Sequence, residues 1–189
     1  MKIGVLAMQG AYREHINIFK KLDTESIEIR NKEDFENIDG IIIPGGESTA
    51  IGKLLKTLDL YDILKEKILS KTPVWGTCAG MILLAKEIEN DDIHIGTMDI
   101  EVVRNGYGRQ LGSFHVEGKI NYIGDNIPML FIRAPYIKNV GEKVEVISKV
   151  NGKIVAAKED NMLVTSFHPE LTDDLRVHKY FLEMVKKRN

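Results

Sequence analysis

The one cysteine of this chain, Cys78, lies in Gly76-Thr77-Cys78-Ala79-Gly80, between the strand-like Pro73-Val74-Trp75 and the helix-like Met81-Ile82-Leu83-Leu84-Ala85. A strand, a tight glycine-flanked turn and a helix are the layout of a nucleophile elbow, here with a thiol in place of the hydroxyl. Such a turn strains its central residue and leaves no room for neighbouring Cβ atoms, so a glycine stands on either side. The thiol is then expected to stand exposed above the sheet. It faces the unpaired N–H groups and dipole end of the next helix, a setting suited to an anionic sulfur. A lone cysteine kept for packing is a small buried hydrophobe and needs neither glycine.

A nucleophile of this kind needs a base, and the base needs an orienting group. His168 follows the β-like run Leu163-Val164-Thr165-Ser166-Phe167, and Pro169 biases it towards extended geometry. Residues two apart in an extended segment share a face, so Glu170 can reach the imidazole, hold its tautomer and steady the imidazolium. Alone, His-Pro-Glu reads as a surface turn ahead of a helix. The elbow in the same chain gives it a chemical reading. His15 and His178 fall in helical patterns, and His94 and His115 lack an acid at comparable spacing, so these four read as structural.

A third element is Gly40-Ile41-Ile42-Ile43-Pro44-Gly45-Gly46-Glu47-Ser48-Thr49, a buried-strand run that ends in a Pro-Gly-Gly turn before a helix. Adjacent glycines let backbone N–H groups approach a ligand. In elbow enzymes the oxyanion is held by the N–H after the nucleophile, here that of Ala79, and one from another strand-helix loop, for which Gly46 is placed. A phosphate-binding loop ending in Gly52-Lys53 is excluded by spacing, because Glu47 would replace its first glycine and Leu54 its hydroxyl. Gly4 and Gly10 do not make a dinucleotide fingerprint.

The elements that must position these residues alternate in the first half. Lys2–Ala7, Ser26–Arg30, Gly40–Pro44 and Pro73–Thr77 read as strands, and Ala11–Leu22, two stretches within Glu47–Ser70, and Ala79–Glu87 as helices. This pattern predicts an α/β fold with a mostly parallel central sheet flanked by helices. From about Asp99 strand follows strand: Asp99–Arg104, Met129–Arg133, Lys143–Lys149, Lys153–Lys158 and Met162–Phe167, with Asn151-Gly152 as a hairpin turn. This antiparallel extension should return His168 to the elbow. A final helix is expected from near Thr172, with Asp173 and Asp174 in its first turn and Val177, Phe181, Met184 and Val185 on one face.

A chain of 189 residues with a net charge of -2 and scattered basic residues reads as one domain, 1–189, without a nucleic-acid partner. A single cysteine forms no intrachain disulfide and suits a reducing compartment. The apolar start Ile3–Met8 is too short for a secretory or membrane segment, so a soluble cytoplasmic protein is expected.

In that order on an α/β chain, the cysteine elbow, glycine turn and later His-x-Glu resemble the triad (class I, flavodoxin-like) glutamine amidotransferases. The resemblance narrows to the glutaminase subunits of pyridoxal 5′-phosphate synthase. It is carried by Gly4-Val5-Leu6-Ala7-Met8-Gln9-Gly10-Ala11, Pro44-Gly45-Gly46-Glu47-Ser48-Thr49, the elbow, Arg104-Asn105 with Gly108-Arg109-Gln110, Phe131-Ile132-Arg133-Ala134-Pro135, and Ser166-Phe167-His168-Pro169-Glu170-Leu171-Thr172. Met8 stands where leucine is expected before Gln-Gly, and His115 where an acid is expected after Ser113-Phe114.

The resemblance implies that Cys78 attacks the side-chain amide of L-glutamine and that His168 and Glu170 complete a triad. It implies glutamine binding by Gly46, Glu47, Ser48, Arg104, Ile132 and Arg133, with a guanidinium suited to the α-carboxylate. It further implies no metal or other cofactor, pyridoxal phosphate being the product of the complex. The expected partner is a barrel-type synthase subunit in a large hetero-oligomer, with Gln9 and Gly10 near the interface. Three other readings share the elbow: a glutaminase serving histidine or purine biosynthesis, a cysteine-elbow hydrolase or stress protein, and a non-catalytic regulatory subunit.

Overall fold

The structure, a computed structural model, describes residues 1–107 and 112–188, so the Gly108-Arg109-Gln110 segment lies outside the described residues. Its strands are β1 Lys2–Leu6, β2 Glu25–Ile29, β3 Gly40–Ile43, β4 Val74–Thr77, β5 Ala85–Ile88, β6 Met98–Val103, β7 Ser113–Ile120, β8 Gly124–Ile132, β9 Tyr136–Val140, β10 Glu145–Val150, β11 Lys153–Glu159 and β12 Met162–Thr165. Its helices are α1 Tyr12–Lys21, α2 Ser48–Thr57, α3 Tyr61–Leu69, α4 Ala79–Leu84 and α5 Arg176–Arg188.

The main sheet runs β2-β1-β3-β4-β12-β11-β9-β6-β5, with β10 paired to β11. From β2 to β12 every neighbour is parallel. The direction reverses at β11, which is antiparallel to β12, β10 and β9. β7 and β8 form a separate antiparallel hairpin. The expected parallel sheet with antiparallel extension is therefore present.

Strand β3 shows why a continuous apolar run belongs in the centre of such a sheet, where both faces are covered. Ile41 and Ile43 pack with Ile51 and Leu55 of α2 and Leu64 and Ile68 of α3 on one face. Ile42 joins Phe19 of α1 and Val177, Phe181 and Val185 of α5 on the other. Neighbouring β4 repeats the alternation, Val74 going to the first face and Trp75 to the second. At the other end of the sheet Asn151 and Gly152 both take positive φ, 50° and 78°, as a two-residue hairpin turn requires.

Two expected elements differ. The helix predicted to reach Glu87 stops at Leu84, and Ala85–Ile88 forms an edge strand parallel to β6. Ala85 and Ile88 are buried while Lys86 and Glu87 are exposed, so pairing with β6 overrides the helical pattern. The last helix begins at Arg176 rather than near Thr172, because Pro169–Leu171 first makes a 3-10 turn. Thr172 ties that turn through its hydroxyl to the Pro169 carbonyl at 3.0 Å, and Asp174, not Thr172, accepts the Arg176 N–H at 2.8 Å.

Candidate active site

The glycine turn, the elbow and the His-Pro-Glu segment follow the C-terminal ends of parallel neighbours β3, β4 and β12, the edge where open α/β sheets bind ligands. Cys78 bridges β4 and α4 at φ 48° and ψ -99°, a left-handed conformation that is costly for a residue with a side chain. The strain is held in place: the Cys78 N–H donates to the Thr165 carbonyl at 2.8 Å, continuing the β4–β12 pairing. Gly80 is obligatory, since a Cβ there would lie 2.1 Å from the Ile43 carbonyl oxygen. Cys78 is only 7% exposed, however, so the thiol does not stand above the sheet as expected but lies at the floor of a cleft.

His168 reaches that floor from the end of β12. Its backbone N–H donates to the Leu130 carbonyl of β8 at 2.8 Å, which anchors the segment. Its Nδ1–H donates to Glu170 Oε1 at 2.7 Å, and both residues are buried. Burial works to lower the His168 pKa, but the hydrogen bonds to Cys78 and Glu170 and the charges of those two residues overcome it and raise it to about 10. The imidazole is thus set between a sulfur and a carboxylate, the arrangement of a general base with its orienting acid.

The glycine turn is braced by the segment after β1. Gly45 accepts the Ala11 N–H at 3.0 Å, and a trans peptide plane then points the Gly46 N–H away from Ala11. Gly10 has φ +90°, and a Cβ on it would lie 1.8 Å from the Gly45 oxygen, so no other residue fits. The Gln9 side chain accepts the Glu47 N–H at 2.7 Å. Gln9 and Gly10 are exposed, as a surface contact needs, and they also shape the turn.

The opposite side of the cleft comes from the ends of β6 and β8. The Arg104 guanidinium bonds Glu47 Oε1 at 3.2 Å, Thr49 Oγ1 at 3.4 Å and the Asp91 carboxylate. Glu47 also caps α2, accepting the N–H groups of Thr49 and Ala50 at 3.0 and 2.7 Å. Partial burial opposes ionisation of Glu47, but those backbone bonds and Arg104 keep its pKa below the usual value. Arg133 and Asn105 both take positive φ, 42° and 48°. The Ser48 hydroxyl is buried and has no partner within the chain among the described residues.

The cleft, about 450 Å³, brings together Gln9, Gly10, Gly46, Glu47, Ser48, Cys78, Ala79, Arg104, Ile132, Arg133 and His168. Of the residues expected to form the triad, the oxyanion hole, the glutamine site and the interface, Glu170 alone does not line it, because it lies behind the His168 ring. Ile82, Asn105 and Leu171 also line it without an expected role, and Asp91, which pairs with Arg104, was not anticipated. Asp91 is 13 residues from the arginine it pairs with, and no local pattern announces such a partner. Among the described residues no three His, Cys, Asp or Glu side chains cluster to hold a metal ion. What remains is a thiol, a base, an acid and backbone donors around a polar pocket, a set that can cleave an amide by way of a thioester.

Comparison with known proteins agrees with this chemistry. The chain is 59% identical over 189 residues to the pyridoxal 5′-phosphate synthase subunit PdxT of Carboxydothermus hydrogenoformans, covering 99% of each. It is 55% identical to the subunit of that name from Streptococcus pneumoniae, over the full length of both chains. A crystal structure of a glutamine amidotransferase superposes with a TM-score of 0.93 at 41% identity, covering 97% of this chain and 98% of the other. The profile of the SNO glutamine amidotransferase family matches residues 5–187, and the chain belongs to that family.

Proposed function

We propose that this chain is the glutaminase subunit of a pyridoxal 5′-phosphate synthase, with residues 1–189 acting as one glutaminase domain. The observation that carries the reading is the strained Cys78 sharing one cleft with His168, whose ring donates to Glu170 at 2.7 Å. The near full-length likeness to subunits of that name supports the choice of synthase.

In the proposed reaction the Cys78 sulfur attacks the side-chain amide carbon of L-glutamine, and the N–H groups of Gly46 and Ala79 hold the oxyanion. His168 gives its proton to the departing ammonia, leaving a γ-glutamyl thioester. It then takes a proton from water, which attacks the thioester and releases glutamate. Gly46, Glu47, Ser48, Arg104, Ile132 and Arg133 bind the glutamine. Arg104 matches the α-carboxylate, its neighbour Glu47 the α-ammonium, and the unpartnered Ser48 hydroxyl has a bond to offer.

The reaction needs no cofactor, and pyridoxal phosphate is the product of the assembly. Ammonia passes to a barrel-type synthase subunit docked near Gln9 and Gly10 in a cytoplasmic hetero-oligomer, with no role for nucleic acid or membrane. No described helix is long and apolar enough to cross a membrane.

The test is ammonia release from glutamine by the chain alone and with a pyridoxal phosphate synthase subunit, with Cys78→Ala as the blank. Release that depends on the partner and disappears in the variant is expected. Equal release with and without that partner, or activation only by a histidine- or purine-pathway synthase, would overturn the assignment.

A further inference from the structure

Behind the proposed triad lie two histidines that the reaction does not use. His15 of α1 and His178 of α5 are both fully buried, with 3.0 Å between His15 Nδ1 and His178 Nε2. The His15 Nε2 faces Glu170 Oε2 at 3.6 Å and Thr77 Oγ1 at 3.4 Å. Glu170 gives its other oxygen to His168, and its Oε2 has no hydrogen-bond partner among the described residues. At 3.6 Å the His15 contact is electrostatic rather than a hydrogen bond, and both side chains are fully buried, away from bulk solvent.

The protonation states follow from this packing. Burial lowers the His15 pKa well below its usual value, and the neighbouring His178 and His168 lower it further. Burial alone brings His178 to about 3. Both rings are neutral at pH 7, and each has one N–H. A bare Nε2 lone pair of His15 would repel the carboxylate, so the proton belongs on Nε2 and Nδ1 is the acceptor. His178 must then donate from Nε2, which leaves its Nδ1 as an unprotonated lone pair. That atom is indeed without a partner among the described residues. The titratable groups facing His15 are His178 from α5, and Glu170 and His168 from the segment after β12. Trp75 of β4 packs edge-on against both imidazoles, at 5.4 and 4.8 Å between centroids, and Phe19 against His178.

We infer that His15, held in one tautomer by His178, is a positioning residue that fixes the rotation of the Glu170 carboxylate and so the aim of His168 at Cys78. The N–H of His15 steadies Oε2, and Oε1 stays in line with His168 Nδ1–H. The relay thus has five members, Cys78, His168, Glu170, His15 and His178, and the last two never touch the substrate.

The inference rests on the proposed triad, and its test separates the two. Glutamine hydrolysis by the chain with its synthase subunit is measured for His15→Phe, His15→Gln and His15→Asn, alone and combined with Glu170→Gln. His15→Phe keeps the ring volume but removes the donor, and should lower kcat by about tenfold or more, with KM within about twofold. The His15→Gln amide reaches the Nε2 position and should stay within about threefold of the parent, whereas the shorter His15→Asn should not. In the Glu170→Gln background the His15→Phe factor should fall below about twofold, since the two residues act in series.

The pH profile of Cys78 alkylation by iodoacetamide reads the same aim of His168 without glutamine, and His15→Phe should shift it. An unchanged alkylation profile in folded His15→Phe overturns the inference even where hydrolysis is not detected. If His15→Phe does not fold, equal activity of His15→Gln and His15→Asn overturns it. Hydrolysis that survives in Cys78→Ala sinks the triad itself, a different result.

Discussion

The two walls of the cleft are built on different physical terms. On one, Cys78 and His168 are buried at the ends of parallel strands, and the His168 ring is held from behind by the buried Glu170 at 2.7 Å. On the other, Arg104, Asn105 and Arg133 come from the ends of β6 and β8, where Asn105 and Arg133 are exposed with positive φ, and Arg104 bonds to two carboxylates that solvent also reaches. Buried polar contacts are strong and break at high cost, whereas exposed ion pairs exchange partners easily. The first wall can hold a reaction geometry. In the proposed function the second releases its guanidinium to an incoming α-carboxylate, because the substrate replaces bonds that are individually weak.

This contrast predicts how substitutions divide between kcat and KM. Cys78→Ala should remove glutamine hydrolysis altogether, and Glu170→Gln should lower kcat by roughly 10²–10⁴ with little change in KM, because both act on the buried wall. A large KM effect from Glu170→Gln would break the comparison. Arg104→Ala should raise KM by roughly 10- to 50-fold with kcat within a few fold, and added salt should raise the KM of the parent enzyme in the same direction.

The dependence of stability on pH should be steepest for the buried histidines at and behind the first wall. His178 has a folded pKa of about 3 against an ordinary 6.5, so its contribution is intact above about 6.5. It is lost as pH falls towards 3, at about 1.4 kcal/mol per pH unit while the unfolded chain alone holds the proton. His168, raised to about 10, has the opposite sign: its contribution is complete below about 6.5 and is lost as pH rises towards 10. Urea unfolding should therefore show an optimum near neutrality, and His178→Phe should flatten the acid limb. An acid limb that is equally steep in His178→Phe assigns the slope to other groups. The smallest effect is expected from Asp91→Asn, which frees Arg104 from one competitor and should change KM by no more than about threefold. A larger change would mean that this ion pair is as firmly held as the triad.

The placement of Cys78, His168 and Glu170 was legible in sequence because its constraints are local. Gly76 and Gly80 mark the elbow, Pro169 extends the chain at His168, and a spacing of two brings Glu170 to the ring. The glycine turn was legible for the same reason. Contacts made between distant segments were not. Asp91 finds Arg104 only because β5 lies beside β6 at the sheet edge, and β5 itself was hidden in an apolar run that also fits a helix. His15 and His178 read as structural because each sits at a core position of an amphipathic helix. Nothing near either residue shows that α1 and α5 cover the same face and bring both rings behind Glu170. The exposed thiol was misjudged for a related reason: the elbow fixes where the sulfur points, but the walls that cover it come from β6, β8 and the segment after β1.

A chain whose only sulfhydryl stands at the floor of its cleft carries its own titrant. One equivalent of an electrophile consumed per chain counts competent active sites directly, with no background thiol to subtract. A single fluorophore placed there would report from the place where substrate arrives. Oxidants meet the same singularity: this chain has no second thiol to trap a sulfenic acid as an internal disulfide, so the first oxidation must be rescued by a thiol from outside. Only the burial of Cys78, which is 7% exposed, and not a resolving cysteine, stands between the thiol and that damage.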